Sequence, residues 1–157
     1  MSCTAIVGKS GTGKSTSFGQ FPELGIKGLD PKETAVINVS GKDLPFRGWK
    51  KLYAGKLTDG GNYFESSNAA QIAKAVEYIS LSRPDIKNIV IDDAQYIMAF
   101  EFMQRAKESG YGKFADIGVN LGKVIAAAKN SRNTLKVYFL WHPEQDRDTG
   151  YKMKTVG

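Results

Sequence analysis

The feature that most constrains this sequence is a short apolar run, residues 3–7, that leads directly into the glycine-rich stretch GKSGTGKS. The stretch fits the pattern G-x-x-x-x-G-K-[ST]. Its glycines let successive backbone N–H groups turn inward as a nest for an anion, and a helix that begins at Lys14 would direct its positive end to the same anion. The sequence therefore predicts a strand, a phosphate-binding loop and a helix over residues 14–20.

Each residue type in this loop suits the binding of a nucleoside triphosphate. Lys14 would supply a mobile charge to the β- and γ-phosphates and assist catalysis, and the Ser15 hydroxyl would bind Mg²⁺. The alternative is a glycine-rich turn whose lysine and serine are only solvated, but the strand, the turn and the predicted helix all fall where the motif requires them. The predicted nucleotide-binding residues are Gly8, Lys9, Ser10, Gly11, Thr12, Gly13, Lys14, Ser15 and Thr16.

Two adjacent carboxylates follow the apolar run of residues 88–91. Asp92 is predicted to hold Mg²⁺ opposite Ser15, and Asp93 to face the γ-phosphate as the base that polarises the attacking water. In the alternative interpretation both acids cap a helix that starts at Ala94, since aspartate is favoured at helix starts.

A single histidine, His142, follows the apolar run of residues 135–141. If that run is a strand lying between the first strand and the strand of residues 88–91, its carboxyl end points to the γ-phosphate. His142 would then sense this phosphate or help to place the water. The alternative is an ordinary polar residue at the end of an apolar strand.

Strand and helix patterns alternate along the chain, which predicts an α/β fold with a mainly parallel sheet flanked by helices in three layers. Residues 1–157 are expected to form one domain. A long loop is expected over residues 40–61, followed by one small strand at residues 63–65. The predicted strands are residues 3–7, 34–39, 63–65, 88–91 and 135–141, and the predicted helices are residues 14–20, 67–81, 94–109 and 114–130.

Composition excludes several classes of protein. With 41% hydrophobic residues in 157, the chain can bury a core, and its one cysteine, Cys3, cannot form an intrachain disulfide. There is no Cys/His cluster with metal-ligand spacing and no apolar run near the roughly 18 residues that a membrane helix needs. We expect a soluble cytoplasmic protein with no membrane contact. The net charge of +6 favours polyanionic partners.

Basic residues form three candidate contacts with nucleic acid. The loop over residues 40–61 interleaves them with aromatics, which suits phosphate contacts and base stacking, although the aromatics could instead lie in the core. Residues 102–114 are a second candidate. A polar loop over residues 144–149 precedes two further lysines. They either form a basic tail or, as their resemblance to paired basic residues of some recombinases implies, reach a neighbouring subunit's phosphates. The candidates for contacts with DNA or a neighbouring subunit are Arg47, Lys50, Lys51, Lys152 and Lys154.

Four segments, GKSGTGKST, NVSGKDLPFRGWKK, RPDIKNIVIDDAQYIM and FLWHPE, together resemble the phage-encoded RecA-like, AAA-type P-loop ATPases, several of which are linked to single-strand annealing or recombination. The resemblance implies a RecA-like core that binds and hydrolyses ATP with Mg²⁺ in the host cytoplasm. It also implies a head-to-tail homo-oligomer that acts on single-stranded DNA, with a phage single-strand-binding protein as a further partner.

The chain departs from this family in two places. RecA-type recombinases carry a catalytic glutamate at the end of the second strand, where this chain has Asn38 and Ser40, so the role of base passes to Asp93. Family members also run on past residues 152–157 into strands that would cover the edge beside the first strand. We therefore expect either a truncated core or a naturally short form.

Three functions remain open on the sequence alone. The first is an ATP-driven factor in DNA recombination, annealing or replication, and the second is a nucleotide-binding switch that hydrolyses slowly. The third is a small-molecule kinase, which would need arginines clustered over the phosphates, whereas the five arginines here are scattered along the chain.

Overall fold

In the computed structural model, which describes residues 2–146 and 150–156, five strands form one parallel sheet. The strand order is β1-β5-β4-β2-β3, and each neighbouring pair is parallel. The predicted α/β class is confirmed, and β5 lies between β1 and β4 as expected. The strands are β1 (Ser2–Val7), β2 (Thr34–Asn38), β3 (Tyr63–Glu65), β4 (Asn88–Asp92) and β5 (Lys136–Trp141).

In the described residues, four α-helices accompany the sheet. They are α1 (Trp49–Leu52), α2 (Ala69–Ser82), α3 (Tyr96–Gln104) and α4 (Gly112–Lys129). The Asn68 side chain caps α2 by accepting a hydrogen bond from the Gln71 N–H at 3.1 Å, which satisfies one of the donors left free at a helix start. None of the helices in the described part of the chain is long and apolar enough to cross a membrane.

One face of the sheet, here called the helical face, packs against α2, α3 and α4. Aliphatic side chains dominate this interface, and strand residues such as Ile37, Ile91 and Val137 are completely buried in it. Successive residues of a strand point to opposite sides of the sheet. The strand residues that alternate with these buried residues therefore belong to the other face. The helical face is therefore a conventional core between a parallel sheet and its covering helices.

The opposite face, here called the aromatic face, is covered by irregular segments and by α1. Phe18, Phe46 and Tyr53 pack edge to face on it, with the ring centroids of Phe18 and Phe46 5.5 Å apart. Gly28 has a φ of +55°, and a Cβ there would lie 2.0 Å from the Gly19 carbonyl oxygen. Only glycine allows the chain to approach itself this closely.

A small antiparallel hairpin follows the sheet. It consists of β6 (Pro143–Asp146) and β7 (Gly150–Met153). Beyond β7 the Lys154 N–H donates to the His142 carbonyl at 3.0 Å, and the Trp141 indole N–H donates to the Lys154 carbonyl at 2.7 Å. The chain is thus brought back to the carboxyl end of β5.

The helix predicted over residues 14–20 does not form. A single helical turn is present, closed by the Ser17 N–H donating to the Gly13 carbonyl at 2.8 Å. Phe18 is drawn into the aromatic face, and a Cβ at Gly19 would lie 2.9 Å from the Phe21 ring. Packing of these residues therefore overrides the local helical pattern.

Other predicted boundaries also need correction. The helix predicted over residues 94–109 is confined to Tyr96–Gln104, and the loop expected over residues 40–61 contains α1. Residues 144–146 of the predicted polar loop are paired in β6, while its remaining residues, 147–149, lie outside the described residues.

Candidate functional site

The glycine-rich loop leaves the carboxyl end of β1 beside the end of β5. The Gly8 N–H donates to the Trp141 carbonyl at 3.1 Å, which fixes the start of the loop. Gly11 and Gly13 have φ values of +78° and +86°, which glycine adopts without strain. A Cβ at Gly8 would lie 2.7 Å from the Thr12 hydroxyl oxygen, so this glycine also lets the loop close on itself.

Within residues 2–146 and 150–156, many main-chain N–H groups of the glycine-rich loop find no hydrogen-bond acceptor. Successive free N–H groups in a glycine-rich turn are the donors that an anion nest uses. In the described part of the chain, the loop residues whose N–H groups have no acceptor are Lys9, Ser10, Gly11, Gly13, Lys14, Ser15 and Thr16.

Lys14 lies inside the loop and is only 9% exposed. Its Nζ donates to the carbonyl oxygens of Gly8 at 2.7 Å and Lys9 at 3.0 Å. Burial lowers the pKa of Lys14, and the nearby charges of Asp93 and Asp92 oppose this shift. The ammonium group is thus held at the loop by two neutral carbonyl acceptors. A bound phosphate would be a stronger hydrogen-bond acceptor and would replace them.

Ser15 and Asp92 meet at the carboxyl end of β4. The Ser15 hydroxyl donates to Asp92 Oδ1 at 2.7 Å, and Asp92 is buried. Burial raises the pKa of Asp92, the hydrogen bond from Ser15 lowers it, and the charge of Asp93 raises it further. A backbone hydrogen bond from Asp93 and the charge of Lys14 also lower this pKa, but burial is the largest influence. Buried carboxylates with raised pKa values occur often at functional sites.

The pair of Ser15 and Asp92 fits a magnesium ion bound together with phosphates. Mg²⁺ usually takes one or two protein oxygens and completes its octahedron with water and substrate phosphates. No group of three or more His, Cys, Asp or Glu side chains in the described residues could hold a metal without such help. The donor set thus suits a nucleotide-bound magnesium rather than an independent metal site.

Asp93 has an unusual backbone conformation. Its φ is +58°, the only positive φ of a non-glycine residue in the part of the chain described. Its carboxylate Oδ1 lies 3.0 Å from His142 Nε2. Because an ionised carboxylate can only accept, Nε2 carries the hydrogen of this bond. Left-handed backbone at a polar residue is often found where a site needs one particular side-chain direction.

The two acids do not act as helix caps, which was the alternative interpretation. Helix α3 begins at Tyr96, its N-cap residue is Gln95, and no side chain caps it. The Tyr96 N–H at the start of α3 donates to the main-chain carbonyl of Asp93 and not to either carboxylate. Both carboxylates are left to face the loop.

Gln95 is part of this arrangement, although the sequence did not indicate it. Its side chain is 5% exposed, Oε1 accepts from the His142 N–H at 3.2 Å, and Nε2 lies 3.5 Å from Asp93 Oδ1. Gln95 therefore ties the end of β5 to the turn after β4. A glutamine near a predicted helix start is too common to signal such a contact.

A cavity of about 550 Å³ joins these groups. Asp92, Asp93, Gln95 and His142 line it together with the glycine-rich loop. The predicted loop residues that reach its surface are Ser10, Gly11, Gly13, Lys14, Ser15 and Thr16. Gly8, Lys9 and Thr12 belong to the loop but do not line the cavity.

Two further segments close the cavity, one after β2 and one after β7. Ser40, Lys42 and Asp43 come from the first, and Lys154 with Val156 comes from the second. Lys154, predicted to contact DNA or a neighbouring subunit, therefore faces the site of its own chain.

Lys152, the companion of Lys154 in that prediction, has a different setting. It lies in β7, with its Nζ 3.4 Å from the Glu144 carboxylate. Lys9 also contacts the hairpin, because its Nζ lies 4.6 Å from the centroid of the Tyr151 ring. The hairpin of β6 and β7 thus touches the glycine-rich loop directly.

The basic residues Arg47, Lys50 and Lys51, which lie before and within α1, do not line the cavity. Lys50 pairs with Asp43 at 3.2 Å, while Arg47 and Lys51 are exposed without an ion pair in the described chain. The neighbouring aromatics Phe46 and Tyr53 are buried, so they are not available for base stacking.

The candidate contact over residues 102–114 is largely used within the protein. Arg105 forms ion pairs with Glu101, Glu108 and Asp116. Lys113 lies over the rings of two phenylalanines and donates to a main-chain carbonyl. Cations with internal partners offer little to a phosphate backbone.

Comparisons with known proteins add no family to this geometry. No protein-family model matches the chain, and no curated protein matches it significantly. The function is therefore inferred from the groups that surround the cavity.

Proposed function

We propose that this protein is a Mg²⁺-dependent ATPase with a RecA-like P-loop core. The observation that carries the proposal is the meeting of three groups in one cavity: the loop around Lys14, the pair of Ser15 and Asp92, and the pair of Asp93 and His142. Phosphate binding, metal binding and water activation each require one of these groups. A glycine-rich turn without function would not need the other two.

Each residue has a definite task in this proposal. The free loop N–H groups and Lys14 bind the phosphates, and Ser15 and Asp92 hold the metal. Bound Mg²⁺ would supply charge neutralisation at the phosphates. Asp93 accepts the proton of the attacking water, and His142 fixes the direction of the Asp93 carboxylate through their hydrogen bond. His142 is thereby also placed to respond to the γ-phosphate.

The order of the strands supports a RecA-like core. Ligands of parallel α/β sheets bind beyond the carboxyl ends of the strands, where a strand order reverses. Here β5 separates β1 from β4, so the glycine-rich loop, the two acids and His142 follow three neighbouring strands. The family assignment rests on this order and on the four resembling segments of sequence.

The kinase alternative is less well supported. No arginine of the described chain lines the cavity. Arg83 and Arg132 each donate to several main-chain carbonyls, and Arg105 is ion-paired. These arginines hold the fold together, whereas a kinase would use arginines to close over the transferred phosphate.

Single-stranded DNA is the polyanion we propose as partner, bound by a head-to-tail homo-oligomer. The net charge of +6 supports contacts with a phosphate backbone. So do the exposed Arg47 and Lys51, which form no ion pair within residues 2–146 and 150–156. Because Phe46 and Tyr53 are buried, these contacts should be electrostatic rather than stacking. The affinity for DNA should therefore fall steeply as salt is raised.

The binding of the nucleotide is tested with Lys14→Ala. Loss of two charge-assisted phosphate contacts, at about 1.5–3 kcal/mol each, should weaken the binding of Mg-ATP by about 100-fold or more in calorimetry. Lys123→Ala, which removes one lysine from the exposed surface of α4, is the matched control and should bind normally. Wild-type affinity in a folded Lys14→Ala protein would refute the proposed site.

The hydrolysis step is tested with Asp93→Asn. This change removes the base but keeps the shape and the backbone preference of the side chain, so turnover should fall by about 100-fold or more while Mg-ATP binding persists. Turnover is measured with and without single-stranded DNA. Stimulation by DNA that Asp93→Asn abolishes supports a DNA-linked ATPase, whereas trace turnover that neither DNA nor the substitution changes supports a nucleotide switch.

A further inference from the structure

The segment after β2 forms a wall of the cavity that the sequence did not predict. Residues 40–46 leave the sheet beside the two acids, because Asn38 at the end of β2 is the register partner of Asp92. Ser40, Lys42 and Asp43 of this segment line the cavity. The segment therefore approaches the place where the proposed function puts the terminal phosphate, on the side away from β5.

Asn38 holds the first half of this segment. Its side chain is 0% exposed, and Nδ2 donates to the Lys42 carbonyl at 2.6 Å and to the Tyr63 hydroxyl at 2.8 Å. Oδ1 accepts from the Gly41 N–H at 3.0 Å. Buried amides with satisfied donors and acceptors make rigid local structure, so the backbone at Lys42 is fixed.

The aromatic face holds the second half. Leu44 and Phe46 are buried there, and the Phe46 ring packs edge to face on Phe18. Phe18 follows the glycine-rich loop by only a few residues. The segment of residues 40–46 is consequently tied to the same packing that supports the loop around Lys14.

The Lys42 side chain is exposed and lies at the edge of the cavity. Its Nζ is 5.4 Å from the centroid of the Tyr96 ring, which also lines the cavity. No carboxylate pairs with Lys42 in the described part of the chain, and the adjacent Asp43 pairs with Lys50 instead. A cation held only by an aromatic ring can move to a phosphate oxygen, which is a stronger partner.

We propose that Lys42 is a second cation for the terminal phosphate, contributed by the same chain, and that it makes the site distinguish a nucleoside triphosphate from a diphosphate. This inference rests on the proposed nucleotide binding. Lys14 binds from the glycine-rich loop, while Lys42 binds from the segment after β2. In this proposal a triphosphate engages both lysines, whereas a diphosphate is held by the glycine-rich loop and Lys14 without Lys42.

The experiment compares Mg-ATP with Mg-ADP in Lys42→Ala and in Lys42→Gln, which keeps part of the side-chain stem. Calorimetry should show about a tenfold weaker binding of Mg-ATP, as expected for one charged hydrogen bond, and an unchanged affinity for Mg-ADP. The ratio of the two dissociation constants should therefore fall about tenfold. Lys123→Ala serves as the control of equal charge and should leave both constants unchanged.

The remaining outcomes separate this inference from the proposed function. If wild-type protein binds nucleotide and Lys42→Gln leaves the ratio unchanged, Lys42 does not contact the terminal phosphate and only this inference fails. Equal weakening of both ligands would also overturn it, since it would mean that Lys42 only shapes the loop. Failure of the wild-type protein to bind either nucleotide would overturn both proposals.

Discussion

The two faces of the sheet are equally well buried but are built differently. On the helical face, Ile37 and Ile91 pack against helices, and on the aromatic face, Val36 and Val90 pack under irregular segments. Helices α2 and α4 place no residue at the cavity. The segment of residues 40–46, which borders the cavity, and Phe18, which follows the glycine-rich loop, are anchored on the aromatic face. The aromatic face should therefore link stability to ligand binding, and α2 and α4 should not.

The largest effect is expected from Phe46→Ala on the aromatic face. Truncation of a buried phenylalanine should cost about 3–5 kcal/mol of unfolding free energy in a denaturant titration. It also releases residues 40–46 and removes the contact with Phe18, so nucleotide affinity of the folded protein should fall.

Ile79→Ala in α2 is the matched change on the helical face. Ile79 is completely buried, and its truncation should cost about 2–5 kcal/mol. Calorimetry under conditions where both variants are folded should find the affinity of Ile79→Ala for Mg-ATP unchanged. Equal losses of affinity in the two variants would contradict the distinction between the faces.

Two glycine substitutions should give opposite signs. Gly28→Ala forces a Cβ against the Gly19 carbonyl in a left-handed conformation and should destabilise the protein by about 3 kcal/mol. Gly122→Ala in α4 meets open space and should stabilise it by about 0.5–1 kcal/mol, because alanine is the better helix former. Thermal unfolding of both variants checks the signs, and a destabilised Gly122→Ala would show that α4 is packed more tightly than described.

The smallest effect at neutral pH concerns Tyr53 on the aromatic face. Its hydroxyl is buried without a hydrogen-bond partner in the described residues, so Tyr53→Phe should be neutral or stabilising by about 1 kcal/mol. Burial, with a smaller contribution from Asp30, raises the pKa of Tyr53 to about 12. Unfolded tyrosine titrates near pH 10, so the wild-type protein should lose stability as the pH rises from about 10 to about 12.

Urea titrations of wild type and Tyr53→Phe across that range measure this loss. Between about pH 10 and about pH 12, the free energy of unfolding should fall by about 2–3 kcal/mol more in the wild type than in Tyr53→Phe. This difference is the free energy that corresponds to raising the pKa of Tyr53 from about 10 to about 12. If the unfolding free energies of the two proteins changed equally with pH, the Tyr53 hydroxyl would not be buried.

The sequence predicted the helical face better than the aromatic face. In α2 the apolar residues Ile72, Val76 and Ile79 recur at helical spacing, and Asn68 provides a capping residue, so local pattern and packing agree. On the aromatic face, no periodic pattern in the sequence predicts the contact between Phe18 and Phe46, because the two residues belong to segments far apart in sequence. The predicted first helix failed for this reason.

The sequence predicted those residues of the candidate site that belong to a recognisable motif. It did not predict the residues that hold the motif residues in place through tertiary contacts. The pattern of the glycine-rich loop named Lys14 and Ser15, and the acids after an apolar strand named Asp92 and Asp93. Asn38 and Gln95 are supporting amides whose importance depends on burial, which a single sequence does not display. The one signal for Asn38 in the sequence is that it is a polar residue at the end of the otherwise mainly apolar strand β2.

The positive φ of Asp93 explains why this position holds the shorter of the two acids. Among non-glycine residues, aspartate and asparagine enter the left-handed region most readily, because their short side chains can bond locally to the backbone. Glutamate would reach further toward a water molecule, but it would adopt the positive φ at this position less readily. The geometry of the peptide chain thus favours aspartate at the position of the proposed general base, and Asp93→Glu would exchange reach for conformational strain.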